Sequence, residues 1–373
     1  MTMWLIIFWA AAAFFGVSVF YLGSTVLNFF DPFLVAKWGF WQQFLICSGV
    51  VIGFMGIITF FINFINAAVC ALYFAMIWFV SESVFWFAQK FFHLTFSHYY
   101  AGWTAVLIAV LSLGIGWILA HHVQPAYYTL TTQKKLSDLR IVMFADSHLG
   151  TTFNGSGFEK HVKAMQAENP DIVFIIGDYV DDDTKKDDMI KACELLGKMK
   201  TKYGIYFVFG NHDKGYYGSK YRNFNVQDLI QELQKNGITV LRDENVLIDN
   251  SFYVIGRKDF SEVQEKRGGR KSTKDLTDNL DKNKYMIILD HQPTDFKNQT
   301  KENIDLVLCG HTHGGQLWPF NQVGKWIGAN DLVYGHEKRN NTDFVVTSGI
   351  SDWAIKFKTG TQSEYVVIDV KGK

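Results

Sequence analysis

The chain has 373 residues, enough for two domains, and its 36 basic and 36 acidic residues give a net charge of zero. Its four cysteines form no CxxC pair or disulfide framework, which argues against a disulfide-stabilised secreted domain. The charges are very unevenly distributed, because only Asp31, Lys37, Glu82 and Lys90 precede residue 121. A segment so poor in charge lacks the surface of a water-soluble domain, which excludes a fully soluble protein.

Residues 1–120 predict a transmembrane domain of four helices. A spanning helix needs about 20 apolar residues, and the polar breaks at Asp31-Pro32, Asn63 and Lys90 separate runs of that length. A cleaved signal peptide followed by a buried helical domain is the alternative, but the N-terminus lacks the basic front and short apolar core of a signal peptide. The predicted spans are residues 3–30, 41–61, 67–87 and 101–120, with the second and third forming a hairpin.

The charges that flank the predicted spans do not choose an orientation. Lys37 and Lys90 lie on one side, and Lys134 and Lys135 on the other, so the positive-inside count is close to a tie. We expect a multi-pass protein of the cell membrane and leave open the side that the rest of the chain faces. Glu82 stands in a Ser-Glu-Ser triplet, which we interpret as the end of the third helix at the membrane interface.

Residues 121–138 predict a polar linker, with Pro125 as a helix stop. From residue 139 to residue 373, short β-rich runs alternate with amphipathic segments such as FEKHVKAMQAE and VQDLIQELQKN. This alternation predicts an α/β domain whose strands are buried on both faces. Ligands gather at the carboxyl ends of the strands in such folds. Five apolar runs end at or beside a residue able to bind metal: Asp146, Asp178, Asn211, His291 and His311.

Side chains able to bind metal are more numerous than one ion requires. A zinc site takes three or four protein ligands, whereas two metals that share one carboxylate use about seven. Each motif alone is weak, but together and in this order they indicate a dinuclear site. The candidate ligands are Asp146, His148, Asp178, Asn211, His291, His311 and His313.

The motifs DSHLG, GDYVD, GNHD, DHQP and GHTHGGQ resemble, in this order, the signature of the calcineurin-like metallophosphoesterase superfamily. The resemblance covers about residues 139–370. DHQPTDF, GGQLWPF and SGISDW are similar to its membrane-anchored bacterial branch, although Ser147 stands where that branch often has leucine. The resemblance implies an α/β domain of two mixed β-sheets packed together and flanked by helices.

The resemblance also implies a role for each site residue. Asp178 bridges the two metals, His212 acts as general acid or stabiliser of the phosphoryl oxygens, and Asp213 orients His212. The resemblance makes manganese the first expectation. Iron and zinc remain alternatives, because the types of ligand do not distinguish these metals. The first metal would be held by Asp146, His148, Asp178 and His313, and the second by Asp178, Asn211, His291 and His311.

These residues predict a hydrolase of phosphoric ester bonds. Two divalent ions neutralise an anionic ester and lower the pKa of a water between them. A catalytic domain fixed to a bilayer meets lipids at high effective concentration, so we expect a phosphorylated lipid or lipid-linked substrate and no nucleic-acid partner. The alternatives are a general phosphodiesterase acting on soluble or wall-polymer substrates, with the helices as anchor, and an inactive membrane scaffold or receptor.

A basic segment between Arg257 and Lys274 carries seven lysines and arginines around Gly268-Gly269. One interpretation is a flap that attracts anionic lipid headgroups or the substrate. The other, which we favour because acidic residues are interspersed, is a solvated loop with Arg257 closest to the site.

Overall fold

A computed structural model describes residues 2–265 and 268–372 of the chain. The chain divides into two compact units, Met1–Gly116 and Trp117–Lys373. Lys266 and Arg267, which belong to the basic segment discussed above, lie outside the described residues.

The N-terminal unit is helical, and four helices in the described residues are long and apolar enough to cross a membrane. Asp31 caps a short helix by accepting from the Phe33 amide at 2.8 Å, and Asn63 caps the third long helix by accepting from the Asn66 amide at 2.9 Å. The third long helix begins three residues after the second ends, so the predicted hairpin is present. The helices are α1 (Thr2–Val26), the short α2 (Pro32–Val35), α3 (Phe40–Phe61), α4 (Phe64–Phe92) and α5 (Tyr100–His121).

The interpretation of Glu82 as the end of a helix is wrong. Helix α4 continues for ten residues beyond it, to Phe92. The Glu82 carboxylate accepts a hydrogen bond from the Tyr21 hydroxyl at 2.5 Å and a second one from Tyr99. Two hydroxyl donors satisfy the carboxylate inside the helical unit, which explains how the helix carries an acid in its interior.

Most of the predicted linker is a β-strand. Residues Gln124–Thr131 form β1, which pairs in parallel with the last strand, from Gln124 opposite Glu364 to Thr131 opposite Lys371. The segment reads as polar because β1 is the outermost strand of its sheet and several of its side chains face solvent. Its one buried side chain, Leu130, belongs to the core between the sheets.

The second unit contains two mixed six-stranded sheets within its described residues, so the predicted fold class is confirmed. The first has the strand order β1-β12-β2-β3-β4-β5, and the second β10-β11-β9-β8-β7-β6. After β1, the strands are β2 (Leu139–Phe144), β3 (Ile172–Ile176), β4 (Ile205–Val208), β5 (Ile238–Val240), β6 (Glu244–Ile248), β7 (Phe252–Gly256), β8 (Tyr285–Leu289), β9 (Leu306–Cys309), β10 (Gly335–Arg339), β11 (Thr342–Val346) and β12 (Glu364–Lys371).

The two sheets pack face to face, and helices cover their outer faces. Phe174 from β3 and Ile287 from β8 belong to one buried cluster between the sheets. Outside the first sheet, the apolar sides of the helices at 159–167, 186–196 and 226–235 cover its other face. The helices are α6 (Glu159–Ala167), α7 (Lys186–Leu196), α8 (Ser219–Arg222), α9 (Val226–Lys235), α10 (Ser261–Gln264), α11 (Thr273–Thr277), α12 (Phe296–Lys301) and α13 (Val323–Trp326).

Within the first sheet β2, β3 and β4 are parallel neighbours, and within the second β8 and β9 are parallel neighbours. Their carboxyl ends are therefore aligned within each sheet, and hydrogen bonds join them across the sheets. The ring of His291, after β8, contacts the Ile176 carbonyl at the end of β3 at 2.6 Å, and the His311 amide donates to Asp146 at 3.0 Å. The fold thus brings five loops to one place.

The assignment of β1 to the sheet has a direct test. Replacing Leu130 by Ala should lower the free energy of unfolding by about 2–4 kcal/mol, because a buried leucine is lost from the core. Replacing the exposed Thr129 by Ala, one residue earlier, should change it by less than about 0.5 kcal/mol. Denaturant unfolding of the detergent-solubilised chain measures both. Equal small effects would mean that this segment is a linker after all.

Candidate metal centre

Two groups of potential metal ligands meet where the carboxyl ends of the strands converge. In each group, one ligand atom from each residue lies within 4.8 Å of the others. Apart from His313, at 12% side-chain exposure, and the partly buried His311, these side chains are fully buried. The first group is Asp146, His148 and His313, and the second is Asp178, His291 and His311.

Asp178 lies between the two groups. Its Oδ2 atom is 3.1 Å from His291 Nε2 in its own group and 3.8 Å from His148 Nε2 in the other. Its Oδ1 atom accepts a hydrogen bond from the His212 amide at 2.8 Å. One carboxylate oxygen therefore faces both groups, which is the position that a ligand shared by two cations requires.

Several buried nitrogen and oxygen atoms of the site have no hydrogen-bond partner among the described residues. They are His148 Nε2, His313 Nδ1 and Asn211 Oδ1, whereas His291 Nε2 has only the Asp178 carboxylate, at 3.1 Å, beside it. The opposite ring nitrogens of His148 and His291 are engaged, at 3.2 Å from Asp181 Oδ2 and 2.6 Å from the Ile176 carbonyl. These contacts engage Nδ1 of each ring, so Nε2 is the nitrogen that faces the cavity and can bind a cation, the arrangement found in metal-bound histidines. The side chains present therefore fit divalent cations.

Asn211 follows β4 and reaches the same cavity as His311. Both line an open cavity of about 510 Å³. The Asn211 side-chain nitrogen donates to the Tyr216 hydroxyl at 3.1 Å. This bond fixes the amide so that its oxygen atom remains available to a cation.

Five of the seven predicted ligands have left-handed backbone conformations. For residues other than glycine such conformations are sparsely populated, although Asp, Asn and His tolerate them better than most. The turns are held by hydrogen bonds across the strand ends, including Asp146 amide to Gly177 carbonyl at 3.0 Å and His148 amide to Asp178 carbonyl at 3.1 Å. The φ angles are 56° for Asp146, 35° for His148, 49° for Asp178, 72° for His311 and 48° for His313.

Glycines at the strand ends let the ligands approach one another. A Cβ atom on Gly177, whose φ is +73°, would lie 2.7 Å from Gly210 Cα and 2.8 Å from His291 Nδ1. A Cβ atom on Gly210 would collide with the Asp178 carboxylate and amide. No side chain fits at either position without moving a predicted ligand.

Asp213 supports the site from behind. The four hydrogen bonds that its carboxylate accepts come from backbone amides: Asp178 at 2.9 Å, Tyr179 at 2.8 Å, Val180 at 3.0 Å and Gly210 at 2.7 Å. The expectation that Asp213 orients the His212 ring is therefore wrong. It is a fully buried positioning residue that joins the loops after β3 and β4.

His212 lies at the edge of the site. Its ring centroid is 5.0 Å from that of His148, 4.8 Å from that of Trp353 and 5.2 Å from that of Tyr216. Burial lowers its pKa below the ordinary value for histidine. The ring therefore lies beside the predicted ligands, within reach of a group bound between them.

The buried charges of the site shift one another's pKa values. Burial raises the pKa of Asp146 to about 6. Burial would also raise the pKa of Asp178, but His291 and the neighbouring imidazoles outweigh it and hold that pKa well below its usual range. Burial opposes protonation of His291, yet the Asp178 carboxylate outweighs it and raises the His291 pKa well above its usual value. A cation that binds here must displace a proton from His291.

The sequence did not identify three residues that support the site. Asp181 contacts His148, and Tyr216 holds Asn211. Lys358 is completely buried; it donates to the Ser348 carbonyl at 2.7 Å and lies 3.5 Å from the buried Asp352. Asp181 belongs to the GDYVD motif, so the sequence could have identified it as a residue of the site. No motif around Lys358 links that residue to the site.

The basic segment is partly an internal clamp. Arg257, at 5% side-chain exposure, contacts Asp290 at 3.1 Å and Asp295 at 2.6 Å, and Arg270 contacts Asp290 at 2.8 Å. These arginines hold the residue before His291 and are not available to lipid headgroups. Both interpretations of the basic segment are therefore wrong for these two arginines. They form buried ion pairs, so they neither attract lipid headgroups nor face solvent.

Comparison with known proteins agrees with this arrangement. The family model for calcineurin-like phosphoesterases matches residues 139–315. An uncharacterised metallophosphoesterase from Aquifex aeolicus is 30% identical over 285 residues, which cover 72% of this chain and 99% of that protein. This chain belongs to the calcineurin-like phosphoesterase family. The predicted family and enzyme class, a hydrolase of phosphoric esters, are confirmed, and the family uses a dinuclear divalent metal centre.

Two further relatives of this calcineurin-like phosphoesterase match it over only part of their own length. An uncharacterised metallophosphoesterase from Campylobacter jejuni is 29% identical over 239 residues, 63% of this chain and 60% of that protein. A protein from Danio rerio called "transmembrane protein with metallophosphoesterase domain" is 29% identical over 248 residues, 64% of this chain and 54% of that protein. The matches span little more than half the length of these two relatives.

The contact between Asp181 and His148 has a measurable consequence. Replacing Asp181 by Asn should weaken manganese binding about 10- to 100-fold, because the imidazole loses its charged acceptor. Replacing the exposed Asp183 by Asn provides the matched control and should leave affinity unchanged. Calorimetric titration of the full chain with Mn²⁺ measures both. An unchanged affinity in the Asp181 variant would show that this contact does not orient a ligand.

Metal binding should release protons and strengthen as the pH rises. The raised pKa of His291 keeps its ring protonated near neutral pH, and below about pH 6 Asp146 also becomes protonated. Both groups bind a cation only after losing a proton. Titrations with Mn²⁺ at pH 6 to 8, in pairs of buffers that differ in ionisation enthalpy, give the number of protons released. Binding that is independent of pH and buffer would contradict these pKa shifts.

Proposed function

We propose that this chain hydrolyses a phosphate ester or diphosphate bond on a membrane lipid or lipid-linked substrate. The observation that carries the proposal is the presence, in one chain, of a phosphoesterase site and four helices long and apolar enough to cross a bilayer. One helix suffices as an anchor, so four indicate more than attachment. We propose that they span the cell membrane and give the site access to lipids at high local concentration.

We propose the ligand roles implied by the resemblance. Asp146, His148 and His313 hold one cation, His291, His311 and Asn211 hold the other, and Asp178 is shared. When bound, such a pair neutralises the anionic ester and supplies hydroxide from water near neutral pH. Manganese is the first candidate, with iron or zinc as alternatives. The partnerless Nε2 atom of His148 and the Asp178 oxygen that faces both His148 and His291 support this assignment.

His212 is proposed as the residue that protonates the leaving oxygen. In-line attack places negative charge on that oxygen, and a donor beside the metals lowers the barrier. The ring lies next to that of His148, and the backbone amide of His212 is tied to Asp178 at 2.8 Å. Trp353, with half its surface exposed, packs at 4.8 Å from the ring and limits its motion.

The cavity beside Asn211 and His311 is proposed to take the headgroup. Its side chains are mostly neutral hydrogen-bonding groups, and its described lining contains no lysine or arginine. Such a lining suits hydroxyl or amide groups better than additional phosphates. The lining residues used in this argument are Tyr216, Gln264, Gln292, Thr294 and Asn330.

The competing function is a phosphodiesterase that acts on soluble or wall-polymer substrates. A panel of esters in vesicles separates the two: phosphatidic acid for monoesters, phosphatidylglycerol for diesters and a polyprenyl diphosphate for diphosphates. We expect manganese-dependent release of phosphate or headgroup from at least one lipid. Turnover of bis(p-nitrophenyl) phosphate alone, with every lipid intact, would defeat the lipid proposal. No turnover of any ester would favour the inactive scaffold.

The proposed roles of His212 and Asn211 predict different defects. Replacing His212 by Ala should lower kcat about 10²- to 10⁴-fold with manganese affinity retained, because only proton transfer is lost. Replacing Asn211 by Ala should weaken manganese binding, so that part of the activity returns at high Mn²⁺. Replacing the exposed His122 by Ala is the control for removing an imidazole. Equal rates in the native chain and both site variants would reject the roles.

A further inference from the structure

An exposed apolar surface follows the metal-ligand turn at His313. Trp326 and Ile327 are 72% and 73% exposed, and the other three members range from 36% to 60%. Single exposed apolar side chains are ordinary, but five within ten residues form a patch of the kind that marks an interaction site. We call it the aromatic surface; its members are Trp318, Phe320, Val323, Trp326 and Ile327.

The aromatic surface directly precedes, in sequence, three residues that line the proposed headgroup cavity. Gly328, Ala329 and Asn330, which directly follow Ile327, line the cavity together with Asn211 and His311. Going outwards from the predicted ligands Asn211 and His311, the polar lining of the cavity is therefore followed along the chain by the apolar side chains of Ile327 and Trp326. This order of polarity matches an amphipathic molecule with a phosphate, a headgroup and an apolar chain.

The beginning of the aromatic surface is held in place by one loop. The Trp318 amide donates to Thr359 Oγ1 at 3.0 Å, and the Thr359 amide donates to the Gln316 carbonyl at 2.9 Å. The Gln316 side chain donates to the Ile355 carbonyl at 2.5 Å. Hydrogen bonds on both sides fix the start of the segment relative to the metal-ligand turn.

The same loop contacts the last turn of α5. The Ser363 amide donates to the Leu119 carbonyl at 2.8 Å, and its hydroxyl donates to the Ala120 carbonyl at 2.7 Å. Phe357 packs edge-on against Trp117, with ring centroids 5.7 Å apart. Residues 117–120 belong to the second unit, and within that unit the loop at 355–363 connects them with the start of the aromatic surface.

We propose that the aromatic surface inserts into the interfacial layer of a lipid bilayer. Tryptophan and phenylalanine favour that layer, where an apolar ring and a polar edge are both satisfied. Lys325, within the segment, has a side chain that is 44% exposed and lies 3.6 Å from Glu337. An exposed lysine beside an apolar surface can contact lipid phosphates while its stem packs on that surface. The cavity mouth then opens at the level of the headgroups.

This docking deepens the proposed function and rests on it for its catalytic consequence. A lipid needs to rise only partly out of the bilayer, since its apolar chain stays against Trp326 and Ile327 while its headgroup enters the cavity. Contact with lipid, however, is measurable without any turnover, so the two proposals are tested separately.

The contact is tested by the depth of a label on the full chain in vesicles of phosphatidylethanolamine and phosphatidylglycerol. The variants Ile327→Cys and Leu247→Cys each carry a fluorescent thiol label, and the unsubstituted chain gives the background from the four native cysteines. Leu247 is an exposed apolar residue on β6, at the sheet edge opposite β10. Acyl-chain nitroxide lipids should quench the label at 327 several-fold more strongly than the label at 247. Equal quenching overturns the proposal and makes a protein partner the occupant of the surface.

The catalytic consequence is tested with the double substitution Trp326→Ser and Ile327→Ser. It should lower kcat/KM for a vesicle-borne ester about tenfold and leave kcat/KM for bis(p-nitrophenyl) phosphate unchanged, because only seating at the bilayer is weakened. Leu247→Ser is the matched control. Equal loss on both substrates overturns the docking role. Failure of the unsubstituted chain to cleave any lipid rejects the proposed substrate, while the quenching comparison still decides the contact.

Discussion

Two carboxylates and four imidazoles are packed together where the strand ends of two sheets meet, and several of their buried nitrogen atoms have no hydrogen-bond partner among the described residues. Burying such groups costs free energy unless each finds a partner. Asp178 and His291 form an ion pair with each other. The Nε2 atom of His148 has no hydrogen-bond partner among the described residues. The proposed pair of divalent ions would satisfy these atoms together. This cluster is unfavourable without cations, so the fold must hold it in place. It does so through the converging strand ends, the left-handed turns and the supporting hydrogen bonds.

The support comes from the backbone as much as from side chains. Asp213 accepts four amide hydrogen bonds and so fixes the loops that carry Asp178 and Asn211. Gly177 and Gly210 leave the space in which these loops approach His291. Arg257, directly after β7, and Arg270 clamp Asp290, which lies between His291 and the neighbouring strand β8. A site of this kind tolerates little displacement, since a shift of about 1 Å in a supporting group is enough to impair positioning.

Much of this architecture was predictable, for an identifiable reason. Helices without charge, buried strands and ligands at strand ends are local patterns, and they gave the helical region, the α/β domain and all seven ligand candidates. The predictions that were wrong concern residues whose contacts lie in distant segments of the chain. The segment of β1 reads as a linker because an edge strand is half exposed. Asp213 is adjacent to His212 in sequence, which suggested that it orients the His212 ring. Its carboxylate instead accepts hydrogen bonds from the backbone of the loops after β3 and β4. Glu82 is satisfied by Tyr21 and Tyr99, which lie on other parts of the helical unit.

The central claim is that the seven side chains hold two cations that share Asp178. Electron paramagnetic resonance of the full chain titrated with Mn²⁺ tests it most directly, because two manganese ions bridged by one carboxylate couple magnetically. The account predicts two ions per chain with a coupled spectrum, which an Asp178→Ala substitution abolishes. A single bound ion, or two ions with independent six-line spectra, would contradict it.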